Sequence, residues 1–178
     1  MMEKGQAGLT QPVRVVVDAQ IVLAMFMVSR HTPARRSPKL RLLHLLSSPD
    51  FRWLWSPDVM NDCRRGALVL EAGRKFRARA IFDRIGFERL LDALQVFPAV
   101  DVTSSTLRAA RRRIEEMPRA RDRDLDDAIY LACAVDGNAH LLTSQDSDLL
   151  LLGDDYEGVR IVDWLQFESE LKVCGLLH

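Results

Sequence analysis

The order of apolar and polar positions divides the chain into short strands and helices in turn. Val13–Val17 (VRVVV) is a β-branched run, the pattern of a strand buried on both faces. It stops at Asp18, and helical spacing predicts a helix over Ile21–Val28. A stretch rich in Pro, Arg and Ser, His31–Pro38, separates this from an amphipathic helix carrying Leu40, Leu42, Leu43, Leu45 and Leu46. Phe51–Trp55 alternates as a strand with its aromatic rings on one face, which reads as core packing. Ser56-Pro57 is a helix-start signal, with Ser at the N-cap and Pro in the first turn. Helical spacing continues from about Val59 to Leu94, with breaks expected near Gly66, Gly73 and Gly86.

Val96–Val102 is strand-like, and Thr103-Ser104-Ser105 introduces a helix through Ile114 that Pro118 ends. The acidic segment Asp122–Asp127 leads into a helix over Ala128–Val135, a turn at Gly137-Asn138 and a strand over His140–Thr143. A single turn at Leu149–Leu152, a strand over Val159–Val162 and a helix over Trp164–Leu171 complete the pattern. Alternating strands and helices imply a parallel sheet covered on both faces. The expected fold is therefore α/β, a three-layer α/β/α sandwich with a parallel sheet of four or five strands. A single domain is expected over residues 13–171, flanked by tails at 1–12 and 172–178.

Composition narrows the class. The 178 residues are 48% hydrophobic and 28% charged, which suits one globular domain and excludes a disordered, collagen-like or disulfide-stapled chain. Twenty-five basic and 25 acidic side chains give a net charge of +0, which excludes coating of nucleic acid by bulk charge but not by local patches. Cys63, Cys133 and Cys174 have no CxxC spacing, so structural zinc and a disulfide framework are not expected, and Cys133 reads as a small buried hydrophobe. Residues 1–12 hold no leader-like apolar run, and Ile21–Val28 is shorter than the ~20 residues that span a bilayer. A cytoplasmic location without membrane contact is expected. His44 and His140 read as structural, and Met25, Phe26 and Met27 as core or a homodimer surface.

The carboxylates carry the candidate chemistry. Ligands bind beyond the carboxyl ends of strands in parallel sheets, so an acid just after a strand is a site candidate. Asp18 fits that position, and alone it reads equally well as a helix cap. Asp146 and Asp148, after the strand ending near Thr143, alone read as turn or cap residues, and Asp62 as a surface residue one turn beyond Asp58. Asp122, Asp124, Asp126 and Asp127 at a helix start exceed what capping needs. As a set, Asp18, Asp127 and Asp146 converge through parallel topology, with Asp62 within reach from its helix. Clustered oxygen donors without Cys or a well-placed His select a hard ion, Mg²⁺ or Mn²⁺. Such ions activate water and stabilise a phosphoryl group under attack.

These residues resemble the PIN-domain family of metal-dependent ribonucleases. VRVVVDAQIVLAMF resembles the family's opening strand and first acid, and SPDVMND its Ser-initiated helix with the second acid. DLDDAIYLACAVDGNAHLLTSQDSDLL resembles its third acid, apolar helix, strand and last acid, and VRIVDWLQFESEL its closing strand and helix. The middle and C-terminal layout is most similar to bacterial PIN proteins that are toxins of type II toxin–antitoxin pairs. The resemblance implies a metal-dependent endoribonuclease that hydrolyses RNA phosphodiesters to 3′-hydroxyl and 5′-phosphate ends, with an antitoxin protein as partner. It implies Asp18, Asp62, Asp127 and Asp146 as the catalytic acids, Asp18, Asp127 and Asp146 as metal ligands, and Asp124, Ser144 and Asp148 as auxiliaries. The sequence departs from the family at Gln20, commonly Asn, and at Asp62, usually the longer Glu. The last acid can be registered on Gln145 or on Asp146. The alternative is a catalytically silent PIN-fold module that binds RNA or a protein. A phosphorelay receiver fits less well, because its paired acids and late Lys are missing.

Two basic runs remain. Arg74, Lys75, Arg77, Arg79 and Arg84 form one; Arg108, Arg111, Arg112, Arg113, Arg119, Arg121 and Arg123 form the other, which leads into the acidic cluster. Only Lys4, Lys39, Lys75 and Lys172 are lysines, a bias read first as genome composition and only second as a preference for guanidinium groups that contact phosphates and stack on bases. Charge runs are usually solvated faces. Adjacency to the acids nonetheless makes Arg108, Arg111, Arg112, Arg121 and Arg123 candidates for RNA-backbone contact, or for an acidic antitoxin segment.

Overall fold

The computed structural model describes residues 11–29, 38–73, 80–117, 125–153 and 155–177. Its first half comprises β1 (Val13–Val17), α1 (Ala19–Met25), β2 (Met27–Ser29), α2 (Leu42–Leu45), β3 (Phe51–Leu54), α3 (Pro57–Ala72) and β4 (Ala80–Phe82). The second half comprises α4 (Arg84–Leu94), α5 (Ser104–Glu115), α6 (Ala128–Asp136), β5 (Leu141–Thr143), α7 (Ser147–Leu150), β6 (Arg160–Val162) and α8 (Trp164–Val173). Four parallel strands form the main sheet in the order β3-β1-β5-β6. Helix α6 packs on β1 and β5 with α5 and α3 against it, and α8 packs on β5 and β6. The architecture is the expected three-layer α/β/α sandwich.

The β-branched run explains the central place of β1. Val15 and Val16 are fully buried and Val17 nearly so, because a strand with neighbours on both edges and helices on both faces meets no water. Each such side chain contributes about 1.5–3 kcal/mol over leaving it exposed. Phe51 and Trp53 are buried in the core, while Trp55 is half-buried with its indole N–H donated to Phe97 O at 3.2 Å.

Several elements differ from the sequence pattern. The helix expected over Ile21–Val28 ends at Met25, and Met27–Ser29 instead pairs antiparallel with Ala80–Phe82 in a separate two-stranded sheet. β4 also interrupts the helical spacing expected up to Leu94. Periodicity cannot see a strand partner so distant in the chain. Gly66 does not break α3; a Cβ there would stand 2.5 Å from Leu23 Cδ1, so glycine lets α1 and α3 approach closely. Val96–Val102 is not a strand. Pro98 has no N–H to give, and the segment's backbone link to β3's edge is Val100 N–H to Trp55 O at 2.8 Å. Leu40–Leu46 is a 3₁₀ turn, Pro38–Arg41, running into the short α2.

Met25 and Phe26 are core residues, and together with Val28, Leu40, Leu43 and Ile85 they line a cleft of about 770 Å³. Cys133 is fully buried, with its thiol pushed up to about 12 by desolvation. His140 holds the sheet's lower end, its Nδ1 accepting Arg14 N–H at 3.0 Å. No helix among the described residues is long and apolar enough to cross a membrane.

Candidate active site

Register sets the site. Val17 stands opposite Thr143, and Asp18 N–H donates to Thr143 O at 3.0 Å, so Asp18 and Ser144 leave the sheet side by side. Asp18 is 3% exposed. Its Oδ1 accepts Gln20 N–H at 3.0 Å, capping α1, and its Oδ2 accepts the Ser144 hydroxyl. Cap and site are thus one carboxylate. Burial holds the Asp18 carboxyl above its usual range; the bonds from Ser144 and Gln20 oppose that rise, and the charges of Asp146 and Asp62 add to it.

Ser144, itself buried, accepts Asp146 N–H at 2.9 Å and so ties the two acids together. Asp146 caps α7 through Asp148 N–H at 2.7 Å, and its Oδ2 accepts Gln20 Nε2–H at 3.3 Å. Gln20, where the family pattern has Asn, spans from α1 to the last acid. Asp146 is half-buried, whereas Gln145 is exposed. Asp148 lies half-buried in the first turn of α7, where it favours the helix dipole.

Asp62 projects from α3. Its Oδ2 accepts the Tyr130 hydroxyl at 2.5 Å and its Oδ1 accepts Arg65 Nη2–H at 3.1 Å. Arg65 also lies 3.3 Å from Asp126. Tyr130 is 1% exposed and its oxygen accepts Ala19 N–H at 3.3 Å. Asp127 ends the 3₁₀ turn Leu125–Asp127 and does not cap α6 with its side chain; its Oδ2 is shielded from solvent. The structure therefore gathers Asp18, Ser144 and Asp146 around Gln20 and joins Asp62 to them through Tyr130. The sequence pattern does not single out Tyr130, Arg65 or Asp126 as site residues. The available signal is spacing: Tyr130 stands three positions after Asp127, on the same helical face.

Asp124, Arg121 and Arg123 lie outside the described residues, as do Arg74, Lys75, Arg77, Arg79, Arg119 and Asp122. Arg108, Arg111 and Arg112 are exposed on α5 and form no ion pair among the described residues; α5 packs along α6 and the 3₁₀ turn that holds Asp127.

The donor set is all hard oxygen, and Asp18 and Asp146 repel one another, a pairing that a divalent cation relieves. The donor chemistry suits a hard divalent cation. Among the described residues no three His, Cys, Asp or Glu side chains stand together closely enough to share an ion; Asp18 and Asp146 are a pair of carboxylates joined through Ser144.

The structure is a parallel α/β sandwich with carboxylates and a serine gathered at adjacent strand ends. The family model of the PIN domain matches residues 14–148, so the chain belongs to the PIN-domain family and its fold is of the nuclease type. No curated protein and no solved structure matches the chain.

Proposed function

We propose that the protein is a Mg²⁺- or Mn²⁺-dependent endoribonuclease, the toxin of a type II toxin–antitoxin pair. The observation that carries this reading is the meeting of Asp18 and Asp146 through Ser144 at the carboxyl ends of neighbouring strands in a PIN domain. Asp18 and Asp146, which Ser144 ties together, would begin the ion's donor set and Asp127 would complete it on moving toward them; the ion would polarise the phosphodiester and lower the pKa of water. Ser144 and Gln20 orient the two acids, and burial keeps Asp18 away from competing solvent. Asp124 and Asp148 serve as auxiliary carboxylates. Arg108, Arg111 and Arg112 of α5 hold the RNA backbone, Arg121 and Arg123 are further candidates from the sequence alone, and an acidic antitoxin segment competes for the same guanidinium groups. The cytoplasm is the expected compartment, and homodimerisation is the further association this reading allows.

The test is cleavage of single-stranded RNA by the purified protein in Mn²⁺ and in EDTA, alongside Asp18→Ala and Asp146→Ala. Cleavage that needs Mn²⁺ and disappears in both variants is expected. Cleavage that persists in Asp18→Ala overturns the site assignment. RNA binding without any cleavage identifies a silent PIN-fold binding module instead.

A further inference from the structure

Asp62 differs electrostatically from the other acids of the site. Asp18 and Asp146 face one another across neutral donors, the Ser144 hydroxyl and the Gln20 amide. Asp62 already has a cation, Arg65, on one oxygen and a phenolic donor, Tyr130, on the other. A carboxylate so supplied gains least from a divalent ion. Tyr130 is placed to fix it: the phenol is buried on α6, gives its proton to Asp62 of α3, and takes the N–H of Ala19, the residue next to Asp18. One hydroxyl thus ties α3, α6 and the start of α1 together at the site. Burial pushes the Tyr130 phenol far up, so it stays a donor to Asp62 at any working pH.

We propose that Tyr130 is a positioning residue, which holds Asp62 against the first turn of α1 as an outer carboxylate rather than a ligand of the ion. The Tyr130 hydroxyl thus links the Asp62 carboxylate to the turn that follows Asp18. The proposal rests on the ribonuclease reading above.

It is tested with Tyr130→Phe, Asp62→Asn, their double variant and Asp18→Asn, by RNA-cleavage kinetics in Mn²⁺ and by calorimetric titration of Mn²⁺. Tyr130→Phe is expected to lower kcat by about 10–100-fold, with KM and Mn²⁺ affinity held within about threefold. The double variant is expected to be no worse than Asp62→Asn. Asp62→Asn is expected to keep Mn²⁺ affinity within about threefold, while Asp18→Asn loses about tenfold or more. An unchanged kcat in Tyr130→Phe, an additive double variant, or equal Mn²⁺ losses in Asp62→Asn and Asp18→Asn overturns the proposal. If Tyr130→Phe does not fold, the Asp62→Asn and Asp18→Asn titrations decide. A wild type that binds Mn²⁺ without cleaving RNA refutes the ribonuclease reading alone, and the titrations still decide the place of Asp62. A wild type that binds no Mn²⁺ overturns both.

Discussion

Removing one oxygen, in Ser144→Ala, tests whether the Asp18–Ser144–Asp146 junction is as tightly coupled as its geometry implies. Ser144 is fully buried, donates to Asp18 Oδ2 and accepts Asp146 N–H at 2.9 Å. A bond to a charged acceptor is worth about 1.5–3 kcal/mol and a neutral one about 0.5–1.5 kcal/mol, so losing both costs about 2–4.5 kcal/mol of stability where Asp18 is ionised. The loss depends on pH in a definite sense. Asp18 has its folded carboxyl raised above its ordinary 3.8, so its contribution to stability is full below pH 3.8 and is lost as pH rises through the folded value. The Ser144 bond works against that rise. Removing it moves the folded value higher still, so the variant loses more stability than the wild type once Asp18 ionises.

Urea unfolding in EDTA at pH 7 and at pH 4 measures this directly, with exposed Ser147→Ala as the control, expected within about 0.5 kcal/mol of wild type. The difference between Ser144→Ala and wild type should widen, and never narrow, as rising pH ionises Asp18, so it is at least as large at pH 7 as at pH 4. A Ser144→Ala protein within about 0.5 kcal/mol of wild type at pH 7, or a difference that grows on acidification, refutes the reasoning.

Two further changes probe packing and the arginine face. Gly137→Ala places a Cβ 2.8 Å from Cys133 O and from Leu54 Cδ1, and 3.0 Å from Val100 Cγ2, with a backbone atom among the obstacles. Thermal unfolding should show it destabilised by about 1–3 kcal/mol. Replacing Arg108, Arg111 and Arg112 together by Gln should weaken RNA binding and flatten the plot of log affinity against log salt by about 2, at ~0.7 for each phosphate of a single strand that an arginine neutralises. Titrations at several salt concentrations measure that slope, and an unchanged slope excludes this face of α5.

What was legible in the sequence depended on the distance over which each signal acts. Val13–Val17 announces a buried central strand by its own composition, and Asp18 inherits its position from that strand. Ser144 and Asp146 follow β5 in the same way. The β2–β4 pair was hidden because Met27–Ser29 looks like the tail of an apolar helix until Ala80–Phe82 lies beside it. Val96–Val102 has strand composition, but a proline and an edge position leave it without a ladder. Tyr130 was hidden inside the apolar run AIYLACAV, where a tyrosine reads as core. Its ring does belong to the core; only the hydroxyl belongs to the site. That division within one side chain emerges when α3, α6 and α1 are assembled.

The same division applies to charge. A sum of +0 describes neither the field at Asp18 nor that on α5. Asp18 is 3% exposed and shares its corner with Asp146 and Asp62, so their negative potential is focused where solvent screens it least. Arg108, Arg111 and Arg112 are exposed, where a Debye length of about 8 Å at physiological salt limits their reach. A polyanion therefore meets the arginines as a short-range, salt-sensitive attraction and the acids as a repulsion that salt barely weakens. Neutral overall charge leaves only two ways to bring a phosphodiester to Asp18 and Asp146: a cation placed between them, or local guanidinium contacts strong enough to hold the strand there. Under the proposed function, an ion at the acids and the arginines of α5 would supply both.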